Sequence, residues 1–236
     1  MALKRGVAVV LSLLGLAVVV SAAGFLFLYL LLSSEPPVPD GATLVLRPRG
    51  ELHDVLPDDV LRLVRDREQQ TVRTYVEALR RAKLDPRIRA VVVAPRDLNS
   101  PFWAKVQELR DAILDFRTSG KPVVAFLEAG GDQAYYLATA ADRIVLVPTS
   151  GVDLKGLALY ELFLRGTLDL AGAYPDFLHV GDYKTAVNLY TEKTFTDAQR
   201  EMSTSLTRDQ FTQLVEAIAG GRGLTEDEVR ARIDEG

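Results

Sequence analysis

The chain has 236 residues, 48% hydrophobic and 25% charged, with 28 basic and 32 acidic side chains giving a net charge of −4. That length accommodates one sizeable domain. Two histidines and no cysteine exclude a disulfide framework and argue against a zinc site. With no basic stripe, the composition also argues against nucleic-acid binding.

Lys4 and Arg5 lie in a short N-terminal segment, residues 1–5, and residues 6–32 carry no charge at all. About twenty apolar residues span a bilayer, so 6–32 reads as a transmembrane anchor. Val20-Ser21-Ala22 resembles a signal-peptide cleavage site, but the apolar run Phe25 to Leu32 continues past it and favours a retained anchor. Basic residues before the span and Glu35 and Asp40 after it predict a cytoplasmic N-terminus and an extracytoplasmic main domain. Without Lys4 and Arg5 the remainder has 26 basic against 32 acidic side chains, a net of −6. Residues 33–41 form a proline-rich linker, and residues 42–236 form the folded domain.

Within that domain the first strand is expected at Thr43 to Leu46, followed by a charged stretch, Glu51 to Arg67, with no clear assignment. Val72, Tyr75, Val76 and Leu79 recur at helical spacing before a strand at Ala90 to Ala94. Phe102, Val106, Leu109, Ile113 and Phe116 mark a second helix, ended by Ser119-Gly120, and Val123 to Leu127 the next strand. A small-residue helix, Gln133 to Ala141, precedes a strand at Ile144 to Val147. A helix over Tyr160 to Leu170, a strand over Phe177 to Val180 and two capped C-terminal helices complete the series. Strands and helices alternate, and the strands are near-continuously apolar. The pattern predicts an α/β fold with a parallel sheet covered on both faces. A helix starting at Thr225 and stopping at Gly236 gives the sequence the look of one cut short.

Most catalytic signatures are missing. There is no Walker loop, no GxGxxG and no GxSxG, so no nucleotide or dinucleotide cofactor is expected. His179 sits in a strand-like alternation that suits a structural role, and Tyr135-Tyr136 suits packing. Lys184, in Gly181-Asp182-Tyr183-Lys184-Thr185-Ala186, is the one candidate base. By itself it reads more readily as an ordinary surface charge than as a base.

Three segments alter that reading: Tyr135 to Ile144, Gly151 to Gly156, and Gly181 to Ala186. In that order they resemble the signal peptide peptidase A family, membrane-anchored bacterial serine proteases with a Ser/Lys dyad on a ClpP/crotonase-like fold. The resemblance covers Thr43 to the end. It implies that Lys184 is the general base. The family's short members carry the nucleophilic serine in an S-G-G-Y-Y segment, where this chain has Asp132-Gln133-Ala134-Tyr135-Tyr136. The family's glycine-rich oxyanion loop would fall at Arg96 to Pro101, which holds no paired glycines. Both departures match the first repeat of the two-repeat members, in which the second repeat supplies the serine. The resemblance further implies apolar signal peptides as substrates, a membrane location and homo-oligomerisation, with no cofactor or metal. It leaves a catalytically silent, membrane-tethered interaction domain as the rival reading. An acyl-thioester enzyme on the related fold is a third, disfavoured by the expected extracytoplasmic side.

A lysine must be neutral to act as a base. With an ordinary pKa of about 10.4, only about one amine in a few thousand is neutral at pH 7. Burial or a neighbouring cation must lower that value. Tyr183, Ala186 and Val187 are the residues expected to wall Lys184 off from water.

Overall fold

The structure, a computed structural model, describes residues 2–33, 38–55, 70–101 and 103–235. Part of the linker, most of the charged stretch after Glu51, and Phe102 lie outside the described residues. The chain divides into two units, Met1–Pro39 and Asp40–Gly236. The first is one helix, α1 (Ala2–Ser33). Its window Leu11–Leu30 is long and apolar enough to cross a membrane. Phe25, Leu26 and Phe27, on different sides of the helix, are all exposed, as an all-round apolar helix requires in lipid.

The second unit contains a four-stranded parallel sheet ordered β1-β2-β3-β5, built from β1 (Ala42–Leu46), β2 (Ile88–Val93), β3 (Val123–Leu127) and β5 (Arg143–Leu146). Between its strands run α2 (Val72–Leu84) and α3 (Trp103–Arg117). A two-residue strand β4 (Gly130–Gly131) leads directly into α4 (Asp132–Ala138) and pairs with β6 (Val152–Asp153). Beyond them lie α5 (Arg165–Leu170), a 3-10 turn (Thr185–Val187), α6 (Asn188–Thr191), α7 (Asp197–Arg222) and α8 (Glu226–Glu235).

Register explains the burial pattern. Leu46, Val93 and Ala125 are paired in sequence across β1, β2 and β3, so they point to the same face. That face is buried in one core with Leu79, Val106, Leu109, Ile113 and Phe116. The opposite face carries Val45, Val92, Val124 and Phe126, of which Val45 and Phe126 are exposed and the others half-buried. The expectation of a sheet covered on both faces is therefore corrected: among the described residues, one face is covered. The apolar run Val91-Val92-Val93 suggested two buried faces because the open face is apolar too.

Two further expectations are corrected. Helix appears over Arg165–Leu170 alone, and Tyr160 to Leu164 are not helical. Phe177 to Val180 form no strand, and Leu178 and Val180 are 103% and 89% exposed. His179 is likewise exposed, so its alternation reflects no buried face.

Capping follows the sequence more closely. Thr225 and Glu228 form a reciprocal box, with Oγ1 of Thr225 accepting from the Glu228 N–H and Glu228 Oε2 accepting from the Thr225 N–H. Thr196 accepts from the Gln199 N–H, but the Gln199 side chain is drawn elsewhere.

Three helices meet at a buried cation. Arg110 on α3 donates to the Tyr136 carbonyl, to Thr139 Oγ1 at 2.8 Å and to the Ala217 carbonyl at 3.0 Å. Its guanidinium also lies 4.8 Å from the Tyr136 ring centroid. A planar five-donor head reaches all three acceptors at once, tying α3 to the C-terminal end of α4 and to α7.

Candidate active site

Gly181 takes a left-handed backbone, φ +88°, a conformation that most residues with a side chain avoid. The turn it opens closes when the Lys184 N–H donates to the Gly181 carbonyl at 3.2 Å. Lys184 then leads into the 3-10 turn and α6. Its side chain is exposed, and among the described residues its ammonium has no ion-pair or hydrogen-bond partner. Tyr183 and Ala186 are exposed as well, and Val187 is half-buried. The enclosure expected from these three residues is absent within the described chain. Tyr183 instead donates to Glu201 Oε2 at 2.8 Å, and that bond holds its phenol above the ordinary range.

The loop is firmly held from below. Asn188, buried at the start of α6, donates to Gln199 Oε1 at 2.7 Å. Gln199, also buried, donates to Glu161, which in turn accepts from Ser203. The Leu164 N–H donates to the Leu189 carbonyl at 2.7 Å. On the far side Asp169 accepts from Arg165 and pairs with Lys193 at 2.7 Å. The bond from Arg165, reinforced by Lys193, pulls the Asp169 carboxyl down to about 2. The lysine is thus exposed at its tip and anchored at its base.

Asp132 opens α4, immediately after β4. Its carboxylate accepts from the Gly156 N–H at 3.1 Å, and the Lys155 amide and its own amide favour its charged form. Burial pushes its pKa up, the amides oppose that push, and Asp153 nearby adds to it. The Gly156 amide holds an oxygen here, at the position where the resemblance places a serine. Beyond Gly156 lies an open groove of about 710 Å³, apolar at Leu157, Leu159 and Phe211 and cationic at Arg200 and Arg230.

A consequence for stability follows from the sign of the Asp132 shift. A carboxyl whose folded pKa is raised disfavours the folded state once it ionises. The penalty is present at neutral pH and disappears as pH falls below the unfolded value of about 3.9. Asp132→Asn keeps an acceptor for Gly156 and removes the charge. Its Tm should exceed that of the parent at pH 7, and the two should converge near pH 3 in paired thermal melts. A lower Tm for the variant at pH 7 would show that the charge itself is needed.

Residues 115–234 match the sequence model of Peptidase family S49. This chain belongs to that family. Over 199 residues it is 28% identical to the chloroplastic serine protease SPPA of Arabidopsis thaliana, covering 84% of this chain and 28% of that protein. Over 162 residues it is 27% identical to Protease 4 of Salmonella typhi, covering 69% of this chain and 26% of that protein. The match therefore spans little more than a quarter of the length of these relatives. An enoyl-CoA hydratase from Mycobacterium avium subsp. paratuberculosis K-10 is structurally similar at 15% identity and a TM-score of 0.32, covering 70% of this chain and 80% of that one.

Sequence reasoning brought out Lys184 and Asp132 in this S49 chain but missed the cluster that steadies the lysine. In the sequence Gln199 reads as a cap residue, and Glu161 falls in the helix expected over Tyr160 to Leu170, which does not extend that far. The signal was present in the polar residues Asn188, Thr196, Gln199 and Ser203, spread from the start of α6 into the first turns of α7. No periodicity distinguishes such a run, buried at Asn188 and Gln199 and half-buried at Thr196 and Ser203, from a solvated one.

Proposed function

We propose that this chain is part of a membrane-bound serine endopeptidase that degrades remnant signal peptides. It contributes the general-base lysine, Lys184, while the nucleophilic serine comes from a second repeat or another chain. The observation that carries this reading is the pairing of an anchored loop with an exposed lysine tip, in a chain whose serine position is Asp132. Docking of a serine-bearing partner over the tip would provide the missing burial.

In the proposed reaction the neutral Lys184 amine takes the proton from the serine hydroxyl as its oxygen attacks the scissile carbonyl. The resulting ammonium returns the proton to the departing amine. Water then enters by the same route and releases the acyl group. The apolar wall of the groove beside Gly156 suits an apolar peptide, and α1 would hold the domain where such peptides remain after cleavage. On this reading Lys4 and Arg5 keep the N-terminus in the cytoplasm.

The rival reading, a silent interaction domain, is favoured by Asp132 at the serine position. One assay separates the two. Detergent-solubilised chain 1–236 is incubated with an apolar signal-peptide substrate, alone and with a serine-bearing repeat of the same family. Turnover is expected only in the mixture. Turnover by the chain alone, lost in Lys184→Ala, would overturn the split dyad, and no turnover in either case would favour the silent domain.

A further inference from the structure

The two sides of the groove beside Gly156 differ in chemistry. Gly156 lets one side close, since a Cβ there would stand 3.2 Å from Ile233 Cγ2 and 3.3 Å from Phe211 Cε2. Leu157 and Leu159 continue that side as an apolar wall. The side formed by α7 carries donors. Arg200, Thr204, Arg208 and Thr212 all line the groove at intervals of four residues, so they stand in one row along the helix. None of their side chains makes an ion pair or a hydrogen bond among the described residues.

The charge of the groove is one-sided. Lys155 and Arg230 also line it, but Lys155 is paired with Asp153 at 2.6 Å and Arg230 with Glu226 at 3.3 Å. That leaves Arg200 and Arg208 against a single lining carboxylate, the exposed Asp234. Two such guanidiniums stand out where residues 6–236 have a net charge of −6. Thr204 lies midway between them, about 6 Å from each along the helix axis. A guanidinium presents a fork of donors that matches a carboxylate, and a threonine hydroxyl can add a further bond.

We propose that the Arg200–Thr204–Arg208 row binds the free α-carboxylate of an apolar peptide, whose side chains lie against Leu157, Leu159 and Phe211. This deepens the substrate reading given above and rests on it. Cleavage of a precursor leaves an apolar peptide ending in a new carboxylate. The same segment still joined to its protein has an amide at that position. A groove that requires the carboxylate would therefore accept released peptides and pass over intact chains. Gly156 ties this groove to the site, because it lines the groove while its N–H holds Asp132 at the serine position.

The test is binding of a short, water-soluble Leu/Ala peptide, dansylated at its N-terminus, to the detergent-solubilised chain 1–236, read by fluorescence anisotropy. The free acid should bind about tenfold or more tighter than its C-terminal amide, as expected for charge-assisted hydrogen bonds. In Arg200→Ala/Arg208→Ala the acid and the amide should bind within about twofold of each other. In Arg143→Ala, which removes an exposed arginine outside the groove, the preference for the acid should remain. Equal binding of acid and amide by the parent would overturn the proposal, as would a preference that survives loss of both arginines. A photoreactive form of the acid, with benzoylphenylalanine beside its last residue, supplies a measurement on the unsubstituted chain. Label is expected on 157–159 or 200–212, and label found only elsewhere overturns the proposal even if the double variant fails to fold. Label lost as protein concentration rises would also overturn it, by giving the groove to a second copy of the chain. Neither readout needs a nucleophilic serine, so carboxylate recognition and the catalytic reading of Lys184 can fail separately.

Discussion

Lys184→Ala is expected to lower kcat/KM by about a thousandfold in the serine-complemented protein, the effect of losing one positioned base. That loss corresponds to about 4 kcal/mol of transition-state stabilisation. The informative companion is Lys184→Arg. A guanidinium keeps its proton at any pH the protein tolerates, so it preserves charge and length but cannot accept a proton from serine. Arginine should therefore be as inactive as alanine. If Lys184→Arg retained most of the activity, the residue would be acting as a fixed cation and the base assignment would fail. Folding offers a control, because the side chain is exposed and bonds to nothing among the described residues. Both variants should melt within about 1–2 °C of the parent, as exposed substitutions away from special features usually do.

Gly221→Ala should be the most damaging of the small substitutions. Gly221 lies in α7 where the helix crosses the end of α4. A Cβ built there would stand 2.8 Å from the Thr139 Cβ and 3.0 Å from its carbonyl carbon, and would run into the Thr139 oxygen. Thr139 cannot step aside easily, since its hydroxyl accepts from buried Arg110 and donates to the Tyr136 carbonyl at 2.9 Å. Alanine gains about 1 kcal/mol in helix propensity over glycine. Overpacking against backbone costs about 3 kcal/mol or more, so the net loss is about 2–3 kcal/mol, or roughly 5–10 °C in Tm. Gly220 provides an internal comparison, because a Cβ there meets nothing within 4 Å. Gly220→Ala should be neutral or stabilising by up to about 1 kcal/mol. Equal effects at the two adjacent glycines in chemical denaturation would show that helix propensity, not contact with Thr139, governs this site.

The sequence disclosed those elements whose pattern is sufficient to define them. β2 and β3 were apparent because Val91 to Val93 and Val123 to Leu127 are apolar and flanked by helices with clear faces. Helix α3 was legible because Val106, Leu109, Ile113 and Phe116 all reach the core. Phe177 to Val180 show the limit of such reasoning. Apolar, β-prone residues state a capacity to pair, whereas the partner is decided by the tertiary arrangement. The open sheet face misled for a related reason: an apolar side chain does not specify what covers it. Lys184 and Asp132 were legible through a motif, while their surroundings were not. Whether a lysine is enclosed depends on chain segments far from it in sequence, and here the expected walls, Tyr183 and Ala186, face water.

Helix α7 also constrains which insertions and deletions the family can accept. At about 1.5 Å per residue its 26 residues extend roughly 39 Å. Near one end Gln199 and Ser203 hold the lysine loop, and near the other Ala217 and Gly221 meet Arg110 and the end of α4. One residue gained or lost between them would turn the two ends relative to each other by about 100°. The loop and the helix that begins at Asp132 could not both keep their contacts. Length variation among related sequences should therefore be absent from 199–221 and collect instead in 173–176, where no helix has to stay in phase.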